Sequence, residues 1–189
     1  MMSFRVLELL AEGFEDVEAV TPADYLRRAG IEVTIAAIGA SRTVKSSRGL
    51  SILTDTTLAE LASLGKLQAD CWDGIVIPGG MPGASNIANS VTAVTLIKEM
   101  AQVGKVVAAI CAAPAVVLGP LGILAGKRFT CFPGLEKQVG GGLWKDDRVV
   151  VDGTLITSRA AGTAGEWACE IIAALAGSEA AHKSPRPCC

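Results

Sequence analysis

From Val106 to Leu118 the chain runs Val-Val-Ala-Ala-Ile-Cys-Ala-Ala-Pro-Ala-Val-Val-Leu, with no charged side chain. Its first part, Val106 to Ile110, has the length and uniform apolarity of a strand buried on both faces, the habit of parallel sheets flanked by helices. Parallel strands need a crossover, normally a helix. The small residues and Pro114 suit a helix start, where a missing N–H costs nothing. Cys111 then falls on the strand-to-helix turn, in the manner of a nucleophile elbow. That position projects a side chain at the carboxyl edge of the sheet, where open α/β folds keep their ligand crevices. Unpaired N–H groups at a helix N-terminus favour a thiolate, so the spacing predicts an unusually acidic thiol. Ala112 and Ala113 leave that sulfur accessible. Taken alone, Cys111 is as readily one more small buried apolar residue.

Other segments repeat the strand–helix alternation. Phe4 to Ala11 reads as a buried strand and Glu15 to Ala29 as an amphipathic helix closed by Gly30. Ile31 to Ile38 is the next strand, Val44 to Thr54 a hairpin-like excursion, and Leu58 to Leu64 a short helix. Asp73 to Ile77 is a buried strand ended by Pro78-Gly79-Gly80, and Val91 to Val103 a helix feeding the Val106 strand. Arg128 to Cys131, Arg148 to Val151 and Thr154 to Thr157 read as shorter strands, and Gly162 to Ala176 as the closing helix. The pattern predicts a three-layer α/β/α sandwich around a mostly parallel sheet, a single domain over residues 1–178 with a flexible tail at 179–189.

Composition narrows the function classes. At 189 residues, 50% hydrophobic and 19% charged, the chain can build a substantial core. A net charge of −2 gives no basic excess for nucleic acid or an anionic membrane surface. Arg5 and Glu8 interrupt the apolar run at the start, which therefore reads as a strand and not a secretory signal. No uncharged run reaches the ~18 residues of a membrane span, and the expected location is the cytoplasm. The six cysteines, including the vicinal Cys188-Cys189, have no framework or zinc spacing, and the single histidine, His182, lies near the C-terminus. Free thiols are expected, with no metal and no cofactor.

Three segments converge at the predicted crevice. Beside the Cys111 turn come Pro78-Gly79-Gly80-Met81-Pro82-Gly83, whose glycines let backbone N–H groups approach an anion, and Glu12 to Glu18, where the first strand gives way to the first helix. Glu18 sits about one turn into that helix. Facing inward, it would have its pKa raised and could hydrogen-bond a thiolate. Facing outward, it is an ordinary acidic first-turn residue.

Several separated motifs are shared with one family. These are E-x-x-E-x-x-x-P at Glu15, Glu18 and Pro22; the helix end Leu26-Arg27-Arg28-Ala29-Gly30; D-G-I-V-I-P-G-G from Asp73; A-I-C-A-A-P from Ala109; and Ser158-Arg159 followed by Gly162-Thr163. In order and spacing the chain resembles the ThiJ/PfpI superfamily from Phe4 to Gly177, specifically its DJ-one (parkinsonism-associated deglycase) branch, and Thr130-Cys131-Phe132-Pro133 resembles the bacterial, YajL-like side. The resemblance implies a flavodoxin-like fold, a homodimer, a reactive Cys111 hydrogen-bonded to a protonated Glu18, and an oxyanion site completed by the N–H of Gly80. Gly79 and Ala112 would line the substrate site, with Arg28, Arg48, Ser158 and Arg159 near it as anion-binding or orienting groups. The substrates implied are reactive dicarbonyls such as methylglyoxal, or their protein adducts, in a glyoxalase- or deglycase-like reaction. The alternative is an oxidative-stress sensor or chaperone in which Cys111 is oxidised to a sulfinate without turnover.

The departures matter as much. Ala112 stands where protease-like members carry histidine, and Phe132 where animal members have a pocket histidine. A Cys-His-Glu peptidase is disfavoured. Ala160-Ala161 replaces a stretch containing proline, which leaves the pocket shape there open.

Overall fold

The computed structural model describes residues 4–183. The apolar runs form a seven-stranded sheet. In chain order its strands are β1 (Arg5–Leu10), β2 (Glu32–Ala37), β5 (Thr56–Thr57), β6 (Gly74–Ile77), β7 (Val106–Ile110), β10 (Val149–Asp152) and β11 (Leu155–Ser158). Two small pairs stand apart from the sheet: β3 (Thr43–Lys45) with β4 (Ser51–Leu53), and β8 (Arg128–Phe129) with β9 (Leu143–Trp144). The spatial order is β10-β11-β7-β6-β1-β2-β5. Every pairing in the large sheet is parallel except β10 with β11.

Side-chain alternation explains the layers. Leu7 and Leu9 of β1, Ile75 and Ile77 of β6, and Val107 and Ala109 of β7 enter one buried cluster. Val6, Val76, Val106, Ala108 and Ile110 enter another on the opposite face. The first cluster is closed by α2 (Leu58–Ser63), α3 (Gly83–Ala88) and α4 (Val91–Gln102), through residues such as Leu61, Ile87 and Leu96. The second is closed by α1 (Asp16–Arg28) and α5 (Ala164–Ala176), through Leu26, Trp167 and Ile171. Each such aliphatic side chain contributes about 1.5–3 kcal/mol on burial. Trp167 also donates its indole N–H to the Ile156 carbonyl at 3.2 Å, so its one polar atom is satisfied inside the core. This is the expected three-layer sandwich, with the expected hairpin formed by β3 and β4.

Three local features differ from expectation. The chain after Cys111 does not enter a regular α-helix. Pro114–Leu118 is a five-residue π-turn, closed by the Gly119 N–H on the Pro114 carbonyl at 2.9 Å. Gly83–Ala88 forms a helix between the Ile77 strand and the Val91 helix, where the sequence pattern assigned no element. A short helix, α6 (Ser178–Lys183), occupies the start of the expected tail; Cys188 and Cys189 lie outside the described residues. Among the described residues, no helix is long and apolar enough to cross a membrane.

Candidate active site

The site is built at the carboxyl ends of β1, β6 and β7. Cys111 follows the last residue of β7 and takes a φ of 63°, the left-handed region that a side chain with a Cβ rarely adopts. Both of its backbone groups are held. Its N–H donates to the Ser158 carbonyl at 2.9 Å, and its carbonyl accepts the Phe132 N–H at 2.7 Å. One bond continues the sheet to β11 and the other ties the turn to the chain after β8, which together fix the direction of the thiol.

Glu18 reaches the same point from α1. Glu15 caps that helix by accepting the Glu18 N–H at 2.9 Å, which sets the first turn and aims the Glu18 side chain inward. Glu18 is 1% exposed. One of its carboxyl oxygens accepts the Gly79 N–H at 2.9 Å, and the carboxyl also meets the Ala161 N–H and the Cys111 thiol. Of the two orientations open from sequence, the inward one is observed.

Gly79 and Gly80 are required by this closeness. A Cβ on Gly79 would lie 2.7 Å from Glu18 Oε2, 2.8 Å from the Cys111 Cβ and 2.9 Å from the Ile110 carbonyl. Gly80 has a φ of 84°, and a Cβ there would lie 2.5 Å from the Glu15 nitrogen. The two loops are laced together by the Glu15 N–H on the Gly79 carbonyl at 3.1 Å and the Gly83 N–H on the Gly13 carbonyl at 3.2 Å. The N–H groups of Ala112 and Gly80 point at the Cys111 sulfur. Two backbone donors around one sulfur make a cradle for negative charge.

The electrostatics depart from the acidic thiol expected above. Burial pushes Glu18 up to about 7, opposed by its hydrogen bonds with Cys111, Gly79 and Ala161 and helped by the Glu15 charge. Burial also pushes the Cys111 thiol well above its ordinary range, and the Glu18 charge and hydrogen bond add to that push. The physical reason is twofold. The turn after β7 supplies only the Ala112 N–H, joined by that of Gly80 from the loop after β6, where a full helix end was expected, and a carboxylate sits against the sulfur. The upward push from Glu18 is removed once Glu18 takes a proton, so the two groups act as one proton-sharing pair.

The structure brings together Cys111, Glu18, Gly79, Gly80 and Ala112. Ser158 joins them through its carbonyl only; its hydroxyl faces inward, 2.6 Å from that of Thr163. Arg159 is paired with Asp146 at 2.6 Å. Arg28 does not reach the crevice. It lies ten residues beyond Glu18 on the same helix, about 15 Å along the axis, and holds Asp24 at 2.7 Å. Arg48 is exposed on the β3–β4 turn, which docks beside the site through the Ser47 N–H on the Phe14 carbonyl at 2.8 Å. Sequence reasoning missed Ala161. Its N–H is presented by a tight turn in which the Thr163 hydroxyl accepts the Ala160 N–H at 3.2 Å. The Ser158…Thr163 spacing carried that signal, and the turn forms without the proline. Phe132 is 47% exposed beside the turn, where it offers no titrating group.

The DJ-1/PfpI family model matches residues 4–174. The chain belongs to the DJ-1/PfpI family. It is 43% identical to protein dj-1beta of Drosophila melanogaster over 180 residues, which cover 94% of this chain and 92% of that one. It is 34% identical to the glutathione-independent glyoxalase DJR-1.2 of Caenorhabditis elegans, over 94% of this chain and 91% of that one. Among solved structures, oxidized Toxoplasma gondii DJ-1 superposes with a TM-score of 0.90 at 35% identity, covering 96% of each chain. The flavodoxin-like α/β fold of the family is the fold described above.

Proposed function

We propose that this protein converts reactive dicarbonyls such as methylglyoxal, free or as protein adducts, with Cys111 as nucleophile and Glu18 as proton carrier. The observation that carries the reading is the contact of a buried carboxyl, pushed up to about 7, with a cysteine cradled by two N–H groups. A group with that pKa both takes and returns a proton near neutrality. The Cys111 sulfur bonds to the aldehyde carbon while its proton passes to Glu18. The carbonyl electron pair moves to oxygen, where the Gly80 and Ala112 N–H groups stabilise it. Glu18 hands the thiol proton to that oxygen and is again a carboxylate. It then carries the former aldehyde hydrogen, as a proton, to the neighbouring carbon while the hydroxyl proton passes to the neighbouring carbonyl oxygen, leaving a thioester of the hydroxy acid. Water cleaves that thioester, so the net reaction adds one water to the dicarbonyl. The name of the Caenorhabditis relative supports the substrate class.

The test is steady-state methylglyoxal consumption and lactate formation. Cys111→Ala should abolish turnover, and Glu18→Gln should lower it by roughly 100- to 10,000-fold. Equal rates in all three proteins would mean non-specific amine or thiol chemistry and would end the assignment.

A second reading draws on the same cradle and on the oxidized form of the Toxoplasma relative. Peroxide would convert Cys111 to a sulfinate held by the Gly80 and Ala112 N–H groups. Under it, wild type has negligible turnover, and peptide mass spectrometry finds two added oxygens at Cys111 before Cys71, Cys131 or Cys169. None of these four is in a disulfide, and Cys131, at 1% exposed, is shielded from peroxide where Cys111 is partly open. For assembly we propose a homodimer. Val17 and Val20 on α1, with Leu50 and Leu53 on the β3–β4 hairpin, form an exposed apolar face. Sedimentation of wild type against Val20→Glu reads this directly.

A further inference from the structure

A cavity of about 330 Å³ opens at the amino ends of the strands, away from the crevice. The size falls at the lower end of pockets for small ligands. Val107 and Leu155, at the starts of β7 and β11, line it together with Leu121 and Ile123 from the segment before β8. Cys111 lies four residues farther along β7 than Val107, about 13 Å away. The apolar lining belongs to the side of the sheet that α4 closes. The α1 and hairpin face assigned above to the homodimer is on the other side, so the mouth of this cavity stays open in that assembly.

The charges around it are unequal. Lys98 of α4 and Lys127 face a single carboxylate, Asp152 at the end of β10. Asp152 is already held, because it accepts the Arg128 N–H at 2.8 Å and lies 3.5 Å from Arg128 Nε and 3.6 Å from Lys127 Nζ. Lys98 is exposed and enters no ion pair among the described residues. A lysine head offers a point charge and three donors but no acceptor, so it distinguishes an anion from a neutral group and repels a cation. Gln102 and Thr154, both exposed at the same opening, add an amide and a hydroxyl donor. The α4 carbonyls of Glu99, Met100 and Ala101 are occupied by the N–H groups of Val103, Lys105 and Gly104, at 3.0, 3.0 and 3.3 Å. One negative charge on a hydrocarbon body would meet the free ammonium and cover the apolar lining at the same time.

We propose that this cavity binds a small amphiphilic monocarboxylate, its head on Lys98 and Lys127 and its hydrocarbon body along Val107, Leu121, Ile123 and Leu155. Burial of the body supplies most of the affinity, and the exposed lysines set the sign of the charge. A dianion would bring a second charge against Asp152 with no further free ammonium to meet it.

The experiment is a titration of hexanoate into the full chain, followed by protein NMR and calorimetry, with hexylammonium, 1-hexanol and acetate as controls. Saturable binding of hexanoate is expected, with perturbed resonances in α4, in residues 121–123 and at the starts of β7 and β11. Acetate, which has the charge without the body, should bind about tenfold more weakly or worse. Lys98→Glu, at an exposed position, should weaken hexanoate about fivefold or more, and Lys98→Arg should stay within about twofold of wild type. Ala101→Leu, which narrows the cavity and keeps both lysines, should weaken it about tenfold. Cys111→Ser should bind as wild type does, and Lys98→Glu should turn over methylglyoxal as wild type does, which separates this site from the crevice. No saturable binding in wild type overturns the proposal, as does equal affinity for 1-hexanol or hexylammonium. Undiminished affinity in Lys98→Glu, or perturbations confined to the surroundings of Cys111, overturns it as well.

Discussion

Glu18 and Glu8 lie ten positions apart in the chain, and the fold buries both, leaving 1% and 0% of their surface exposed. Around Glu18 the loops after β6 and β11 deliver backbone N–H groups and the turn after β7 a thiol. Around Glu8, in mid-strand, the backbone is consumed by the sheet ladders to β2 and β6, and no donor is left over. Burial raises both carboxyls. Only the one at the strand ends can exchange its proton with a reacting group. The carboxyl edge of a parallel sheet is where unused backbone donors accumulate, which is a physical reason for chemistry to settle there.

Four measurements would break or sharpen this contrast. Gly79→Ala should have the largest effect, because the added methyl collides with both members of the Glu18–Cys111 pair. Turnover should fall about 100-fold or more, the scale of a misplaced reacting group, whereas Glu8→Gln should leave it within about twofold. Similar losses in the two variants would erase the distinction between the regions.

Next comes stability against pH. Glu18 rises from the ordinary 4.5 to about 7 on folding. Its contribution is therefore fully present below about 4.5 and lost as pH rises through 7, a decline of about 3 kcal/mol. Urea unfolding of wild type and Glu18→Gln between pH 4.5 and 8 should show the variant lacking that decline. Glu8, raised in the same direction, adds a further loss that persists in Glu18→Gln and disappears in Glu8→Gln. A wild type whose stability is flat over this range would contradict both shifts.

Glu8→Leu should then stabilise the protein by about 1–3 kcal/mol at neutral pH, the cost of an unsatisfied buried group. Thermal unfolding checks the sign, and a destabilised variant would mean that Glu8 has a partner. Smallest of all is Arg28→Ala, expected to change stability by less than about 0.5 kcal/mol and turnover not at all, because its pair with Asp24 is half-exposed. A marked loss of turnover would return Arg28 to the site.

The same contrast explains what was legible in the sequence. Val106 to Ile110 announced a doubly buried strand because every residue had to be apolar, and the break at Cys111 located the crevice. Glu18 stayed ambiguous until its motif was matched, since a first-turn acid suits either face of a helix. Glu8 was read only as an interruption of a leader-like run, because pattern analysis does not expect an unpartnered carboxyl in a central strand. Arg28 was drawn toward the site by its motif, whereas ten helical residues carry it away. Ala161 contributes a backbone N–H, and a backbone donor leaves little mark on residue identity. The π-turn after Cys111 was invisible for the same reason: its apolar residues suit an α-helix equally well.

The φ of 63° at Cys111 has a consequence for anyone trying to make this protein hardier. A non-glycine residue in the left-handed region costs about 1–2 kcal/mol, and glycine would relieve it. A screen that selected only for heat resistance would be drawn to position 111 among its first choices. It would return a sturdier molecule with no thiol in its crevice.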